Sequence, residues 1–441
     1  MNRPRSILLV GLALGMLIRV SLIFVAQAHP DRVRANDSPT YIEPAKFILS
    51  DGYYSYPSAI RTPGYPYFIS FIYLLAGPDP AAVSAAQGIL GIITLLLTFQ
   101  IGRILASEDV AWVGVVLLAL GLESIASTFF VLSETLFTLI LAASLLCLLQ
   151  FFRADRLAWA IAAGIFAGLA ILTRPAALFF PLLTVLLFVS HQTLPWSRRI
   201  RVFAVYLISA ILITVPWVVR NQRLLGIPMV STISSYNLLA YNAASLVADQ
   251  QGIPIAEARQ LLSEQQDKAL AEAGLADTEA NRARIQGRLA RRIILAAPFR
   301  YLVLHIREDL KGFLPGTGYL SEIMGRPAKH SDLWEVIHSK GLAAAWAAFI
   351  REQAWLPLVV LPFVILLIAI YADSIIGAAQ LLRERKVFTF LFLVLPIFYF
   401  LLLPGAPSNS RFRIPVMPYF DLLAAYGIMA LYRMMQARYI K

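Results

Sequence analysis

The side chains in this sequence that could carry out chemistry are a few charged residues beside long apolar runs. Asp37 lies in RANDSPTY, Arg61 in AIRTPGYP and Glu134 in VLSETLF. A carboxylate can accept a proton from a hydroxyl or an amine. An arginine binds phosphate through paired donors that are always charged. The combination predicts a substrate that carries a phosphate, together with a nucleophile that must lose a proton.

Further arginines lie where apolar runs end. Arg220 and Asn221 follow PWVV, and Arg411 and Arg413 lie in SNSRFRIP. Arginines at the ends of membrane helices often serve only as anchors, but they are less expected on the outer side of a membrane. We therefore expect these arginines to help bind a phosphate.

The residues Asp37, Arg61 and Glu134 each have a purely structural interpretation as well. Asp37 precedes Ser-Pro and is a good helix N-cap. Arg61 can extend to lipid headgroups, and Glu134 can favour the N-terminal dipole of the helix that it begins. Such roles are compatible with chemistry, and the sequence leaves both interpretations open.

The composition predicts a membrane protein that crosses the bilayer several times. The chain has 441 residues, of which 59% are hydrophobic and 15% charged, and its mean hydropathy is +0.70. A soluble domain has roughly 25% charged residues. The formal net charge of +12 comes from short basic clusters between apolar runs. Because membrane topology explains that distribution, we expect no nucleic-acid partner.

A spanning helix needs about 20 mostly apolar residues, and we predict an all-α fold with about ten of them. The predicted spans cover residues 6–27, 81–105, 109–127, 134–152, 156–173, 176–191, 200–219, 354–382, 387–403 and 414–433. The segment 65–77 is too short to span comfortably, so we expect it to lie in the interface or to re-enter the membrane.

Short basic clusters decide the predicted orientation. They contain Arg3, Arg5, Arg103, Arg153, Arg156, the RRIR and RERK motifs and the C-terminal tail. Because basic loops stay in the cytoplasm, both termini are predicted to be cytoplasmic. The segments around Asp37, Glu134 and Arg411 then lie on the outer face.

This topology divides the chain into three parts. Residues 1–219 form an N-terminal transmembrane module, 220–353 a small helical outer domain and 354–441 the C-terminal transmembrane helices. Apolar residues at helical spacing predict helices within 255–274 and 277–298, the second beginning near Asp277 and Thr278. The stretch 299–316 is amphipathic and suited to the membrane surface.

The order of these motifs resembles that of the C-type (GT-C) integral membrane glycosyltransferases, in particular the aminoarabinose transferases and protein O-mannosyltransferases. The similarity rests on Asp37 with Tyr41, RTPGYP, SETLF, LTRP, PWVVRN, AAPFRYL and SRFRIPVMP, which together cover most of residues 30–420. It implies a polyprenyl-phosphate-linked sugar donor, a lipid, glycan or protein acceptor, and inverting transfer on the outer face. The expected location is the bacterial plasma (inner) membrane, with the active site on its outer face.

The resemblance also implies roles for individual residues. Asp37 matches the catalytic carboxylate, Glu134 a further acidic residue, and Arg61 and Arg220 the donor-phosphate side. Some relatives carry an acidic residue directly before the basic one, where this chain has Ile60. Either Glu43 or Glu134 is expected to take that part. The remaining expected site residues are Arg411 and Arg413 for phosphate, and Tyr41, Tyr65 and Asn221 as lining.

No cofactor is firmly implied, and a divalent metal ion is compatible with the site without being required. The outer segments contain His29, His305, His330 and His338, but without the spacing of metal ligands.

The alternative function is a lipid or lipid-linked-sugar transporter that binds a phosphate headgroup without chemistry. A transporter predicts polar residues near the bilayer midplane, whereas here they gather at the outer boundary. A membrane phosphotransferase would need histidine or carboxylate clusters that the sequence lacks.

Overall fold

The computed structural model describes residues 3–316, 318–325 and 356–439, with residues 341, 343, 344 and 347 between them. Within these residues all regular secondary structure is helical, which confirms the predicted fold class. His330 and His338, and the end of the predicted outer domain, lie outside the described residues.

The first half of the chain is a bundle of apolar helices. In order they are α1 (Arg3–Ala28), α2 (Pro39–Asp51), α3 (Gly64–Ala76), α4 (Pro80–Leu105), α5 (Glu108–Leu120), α6 (Leu122–Phe129), α7 (Glu134–Ala154), α8 (Leu157–Thr173), α9 (Phe180–Leu183), α10 (Val185–Ser190) and α11 (Trp196–Leu225). Of these, α1, α4, α7 and α11 are long and apolar enough to cross a membrane. Helix α2 ends at Gly52, as its sequence predicts, because a left-handed φ of +77° suits glycine.

The region predicted as one straight span over 109–127 is broken. Helices α5 and α6 meet at Gly121 with a bend of 56°. The buried guanidinium of Arg19 in α1 donates to the Ala119 carbonyl at 2.6 Å and to Ser124 Oγ at 2.9 Å. These bonds satisfy backbone and hydroxyl groups that a break inside a membrane leaves without helical partners.

The part predicted to lie outside the membrane, which we call the outer part, follows α11. It contains α12 (Ile233–Asn237), α13 (Ala244–Gln251), α14 (Ile255–Glu272), α15 (Glu279–Ala296), α16 (Pro298–Asp309) and α17 (Gly318–Ile323). Helices α14 and α15 match the predicted ones, and the Thr278 side chain accepts from the Asn281 amide as the N-cap of α15. A π-helical turn, Leu238–Ala243, packs against α15.

The chain then returns to the bundle. The last helices are α18 (Leu356–Arg383), α19 (Val387–Leu402) and α20 (Met417–Tyr439), and a 3₁₀ segment, Ser410–Val416, leads into α20. Helix α18 and the segment from Ser410 through α20 also qualify as membrane spans.

The predicted number of spans is therefore not confirmed. Among the described residues, six helices meet the length and composition of a span, or seven with the bent α5–α6 pair. Helices α3, α8 and α19 are apolar but shorter, and the predicted span over 176–191 is broken into α9 and α10. The protein is a multi-pass membrane protein.

Charged side chains lie at both ends of the bundle. At one end, Asp155 after α7 pairs with Arg198 at the start of α11, with Nε and Oδ1 3.1 Å apart. At the other end lie the beginning of α7, the ends of α8 and α11, and the turn that precedes α20. This second end, the site end, brings together the charged residues described next.

Candidate active site

Asp37 lies in the turn between α1 and α2, at the site end. The Ser38 hydroxyl holds this turn, since it accepts from the Ala35 amide at 2.9 Å and donates to the Val131 carbonyl at 2.8 Å. Ser38, not Asp37, occupies the N-cap position of α2, so the N-cap interpretation of Asp37 is wrong. The Asp37 carboxylate instead faces two arginines.

Both arginines contact the Asp37 carboxylate directly. Arg61 Nη2 lies 3.0 Å from Oδ1, and Arg411 Nη1 lies 2.9 Å from Oδ2. Arg61 is oriented by its Nε, which donates to Thr40 Oγ1 at 2.9 Å, and by the Tyr41 ring 4.6 Å below its guanidinium. With 38% of its side chain exposed, Asp37 remains open to a substrate.

Glu134 is the first residue of α7, and its side chain is only 1% exposed. Its Oε1 accepts from Arg174 Nη1 at 2.7 Å, and from Nη2 and Nε of Arg411 at 2.7 and 2.8 Å. Arg174 follows the last residue of α8, and Arg411 lies in the 3₁₀ segment before α20. Arg411 therefore joins the two carboxylates.

We call these five residues, Asp37, Arg61, Glu134, Arg174 and Arg411, the charge network. Three arginines against two carboxylates leave one net positive charge. Burial raises the pKa of Asp37, but the charges of Arg411 and Arg61 outweigh burial and hold that pKa below its ordinary value. Asp37 is therefore ionised at neutral pH.

The tyrosines expected to line the site lie beneath the charge network. Tyr41 is 5% exposed, its hydroxyl is 3.3 Å from Ser133 Oγ, and its ring meets that of Tyr65 edge to face. Tyr65 is fully buried and donates to Gln87 Oε1 at 2.7 Å. Tyr41 thus supports Arg61, whereas Tyr65 belongs to the core.

Arg220 and Asn221 lie outside the charge network. Arg220 donates to the carbonyls of Ser58, at 3.1 Å, and Tyr56, and its guanidinium stacks on Tyr54 and Trp217. The buried Asn221 amide donates to the Met229 carbonyl at 2.8 Å. The contacts of Arg220 hold the segment that leads to Arg61.

Two other expected site residues are also placed elsewhere. Glu43 is half exposed and pairs with Lys46 at 2.8 Å, on the surface of α2. Arg413 is fully buried, pairs with Glu123 of α6, and donates to the Gly312 carbonyl at 2.7 Å. Neither residue faces Asp37. The contacts of Arg413 are those of a buried structural residue, although it is only two residues from Arg411.

Sequence reasoning gave no site role to Arg174, which nevertheless completes the charge network. It lies in the LTRP motif, and its place at the end of an apolar run next to a proline is also that of an ordinary anchor. Its relation to Glu134, 40 positions earlier, depends on how α7 and α8 pack. No group of three or more His, Cys, Asp or Glu among the described residues could hold a metal ion.

Comparisons with known proteins agree with this architecture. Residues 60–219 match the sequence family described as dolichyl-phosphate-mannose-protein mannosyltransferase. The archaeal oligosaccharyltransferase AglB from Archaeoglobus fulgidus, in complex with an inhibitory peptide and a dolichol-phosphate, superposes with a TM-score of 0.55 at 14% identity. The match covers 99% of this chain and 52% of that one, so the chain spans about half the length of the archaeal enzyme.

A second solved structure is ArnT from Cupriavidus metallidurans bound to undecaprenyl phosphate. It matches with a TM-score of 0.48 at 12% identity, over 96% of this chain and 60% of that one. No curated protein sequence matches the chain. The superposition on AglB and the helical architecture show that the chain has the fold of the C-type (GT-C) membrane glycosyltransferases.

Proposed function

We propose that the protein transfers a sugar from a polyprenyl-phosphate carrier to a lipid, glycan or protein acceptor. The observation that carries this proposal is the charge network. In it Asp37, a partly exposed carboxylate, lies between Arg61 and Arg411 at one end of the helical bundle. The AglB structure, which contains a dolichol-phosphate, supports the same donor class. The family match over residues 60–219 points in the same direction.

The arginines differ in how many donors they have left for a phosphate. Arg411 directs Nε and both terminal nitrogens at carboxylates. Arg61 uses Nε and Nη2, and Arg174 contacts Glu134 Oε1 and Ser133 Oγ through Nη1. We therefore assign the donor phosphate to Arg61 and Arg174, and to Arg411 the task of holding Asp37 and Glu134 in place.

The proposed reaction moves one proton and exchanges one bond. The acceptor hydroxyl or amine attacks the anomeric carbon and gives its proton to Asp37. The bond between that carbon and the phosphate oxygen breaks with inversion, and polyprenyl phosphate leaves. General-base help is typically worth about 10²–10⁴ in rate. Arginines that meet the developing phosphate charge contribute about 3–4 kcal/mol each.

The low pKa of Asp37 makes it a weak base while both arginines contact it. A donor phosphate that draws Arg61 away would remove one of the two charges that stabilise the carboxylate. The basicity of Asp37 then rises when the donor is in place, which links proton removal to donor binding. Glu134, buried between two arginines, stays a structural counter-charge.

The proposed location is the outer face of the bacterial plasma membrane, with both termini cytoplasmic. The apolar side chains exposed on α16 support a position at the membrane surface for the outer part, since Phe299 is 84% exposed and Val303 69%. Lipids of the surrounding bilayer are then direct partners of this helix.

The test uses the full chain in lipid nanodiscs. Release of free undecaprenyl phosphate is measured from undecaprenyl-phosphate-linked mannose, glucose, galactose and aminoarabinose, with cell-envelope extract as acceptor. We expect release with at least one donor, loss of about a hundredfold or more in Asp37→Asn, and unchanged binding of undecaprenyl phosphate. Asp31→Asn, an exposed carboxylate of the same outer loop, is the matched control and should behave as wild type.

The transporter makes the opposite prediction for the same samples. Tight binding of undecaprenyl phosphate without release from any donor would contradict the transferase. Movement of the lipid across the bilayer of sealed proteoliposomes, equal for wild type and Asp37→Asn, would then establish transport. Full activity of Asp37→Asn would leave transfer standing but exclude Asp37 as its base.

A further inference from the structure

A compact polar cluster outside the charge network holds the turn that leads to Arg411. This turn, Leu402–Ser408, joins α19 to the 3₁₀ segment. Gly405 has a left-handed φ of +66°, and its amide donates to Asp309 Oδ1 at 2.7 Å. Asp309 is 1% exposed and comes from α16 in the outer part of the chain. The buried Asp309 carboxylate therefore accepts a hydrogen bond from a backbone amide of the turn.

Two more outer side chains hold the same turn. His305, one helical turn before Asp309 on α16, lies with Nε2 2.9 Å from the Leu402 carbonyl and 3.3 Å from Asp309 Oδ2. Since a carbonyl can only accept, His305 Nε2 carries the proton in that contact. His305 therefore contacts both the Leu402 carbonyl at the beginning of the turn and the Asp309 carboxylate, which binds Gly405 in the middle of the turn.

Asn242 completes the cluster from the π-helical turn. Its amide nitrogen donates to the Pro404 carbonyl at 3.3 Å, and its oxygen accepts from the Ala406 amide at 3.3 Å. Tyr301 of α16 donates to the same oxygen at 3.2 Å. One side chain thereby binds the backbone on both sides of Gly405.

We propose that Asn242, His305 and Asp309 form a clamp through which the outer helical part positions Arg411. Five residues after Gly405, the chain reaches the 3₁₀ segment, where Asn409 Oδ1 accepts from the Arg411 amide at 2.9 Å. Arg411 then reaches Asp37 and Glu134 with its guanidinium. A clamp residue touches no reacting group, so it acts as a positioning residue.

Further hydrogen bonds hold the chain between the clamp and the charge network. Ser408 donates to the Asp309 carbonyl at 3.4 Å, and the buried Arg413 donates to the carbonyls of Gly312 and Leu314 at 2.7 and 3.0 Å. The 3₁₀ segment is therefore held on both sides of Arg411. A displacement of about 1 Å at a catalytic group can cost roughly a hundredfold in rate.

The activity part of this proposal rests on the proposed transferase function, so the experiment also has a readout that does not. Full-length wild type, Asp309→Ala and Asp309→Asn are compared in nanodiscs. The control Asp249→Asn alters the pair that joins α13 to Arg300 of α16 at 2.7 Å, without touching the turn. Hydrogen exchange of the Gly405, Ala406 and Arg411 amides reports on the clamp. Release of undecaprenyl phosphate reports on activity.

We expect Asp309→Ala to exchange at least tenfold faster at these amides and to lose at least tenfold in turnover. Binding of undecaprenyl phosphate should change by less than about threefold. Asp309→Asn keeps an acceptor for Gly405 and should stay within about threefold of wild type, as should Asp249→Asn. Asn242→Ala, which removes two contacts to the turn and no charge, replaces Asp309→Ala if that variant does not fold.

Unchanged exchange in Asp309→Ala would overturn the clamp. Faster exchange with full turnover would overturn the positioning of Arg411. If wild type releases no lipid from any donor, the transferase fails, and exchange at the Arg411 amide alone then decides the clamp.

Discussion

Substitution of Glu134 by glutamine tests the central feature of the site, the burial of one carboxylate between two arginines. The change removes a charge that is 1% exposed and leaves Arg174 and Arg411 without it. The net charge of the network rises from one to two. Removing one partner of a buried pair typically costs about 3–5 kcal/mol, because the remaining charge stays desolvated. We expect Glu134→Gln to lose that much free energy of unfolding.

A double-mutant cycle sharpens this expectation. Arg174→Gln alone should cost less, since Glu134 keeps the contacts of Arg411. The double variant Glu134→Gln/Arg174→Gln returns the network to one net positive charge. Its loss should therefore be at least about 1 kcal/mol smaller than the sum of the single losses.

The assay is denaturant unfolding of the purified protein in mixed micelles, followed by the fluorescence of its tryptophans. Glu43→Gln serves as control, because its pair with Lys46 is about half exposed and should contribute less than about 1 kcal/mol. A Glu134→Gln variant within 1 kcal/mol of wild type, or strictly additive losses in the cycle, would refute the buried pair.

Three further expectations concern Arg61, Phe299 and Asp309. Arg61→Ala should lower turnover about a hundredfold, because a donor to the leaving phosphate is worth about 3–4 kcal/mol; release of undecaprenyl phosphate measures it, and a loss below tenfold would contradict that role. With Cys147 replaced by serine, a spin label at Phe299→Cys should be accessible to oxygen and not to a water-soluble nickel chelate, whereas one at the exposed Glu264→Cys on α14 should show the reverse. Burial raises the pKa of Asp309 to about 6, although His305 and the Gly405 amide lower it and Glu308 adds to the rise. The folded state then binds this proton more tightly than the unfolded chain, so the free energy of unfolding should fall by up to about 3 kcal/mol between pH 4 and pH 7. The free energy of unfolding of Asp309→Asn should not fall in this way between pH 4 and pH 7. An equal fall in wild type and Asp309→Asn would refute the assignment of the pH dependence to Asp309.

The sequence could predict the features that depend on local pattern. The apolar runs indicate the helices, a glycine suited to a left-handed φ ends α2 at Gly52, and Thr278 caps α15. The segments of Asp37, Arg61, Glu134 and Arg411 were expected on one side of the membrane, and these residues do meet at one end of the bundle.

Other features depend on contacts that no local pattern contains. Arg411 and Arg413 occupy one short motif, yet a 3₁₀ turn sends the first to Asp37 and the second to Glu123, 290 positions away in sequence. The bend at Gly121 could not be foreseen, since the run over 109–127 is apolar enough for a straight span. Arg174 needed the packing of α7 on α8 to become a partner of Glu134.

Arg19 has a consequence for the synthesis of the protein. Its partners, the carbonyls of Ala119 and Leu118 and the hydroxyl of Ser124, lie about 100 positions later in the chain. An arginine near the middle of a membrane helix costs about 2.5–3.5 kcal/mol during insertion. Until the ribosome has made α5 and α6, the Gly15 carbonyl within α1 is the partner from the same helix, at 3.0 Å, and most of that cost is uncompensated. Helix α1 should therefore become more stable in the bilayer once α5 and α6 have been inserted, which couples the biogenesis of these three helices.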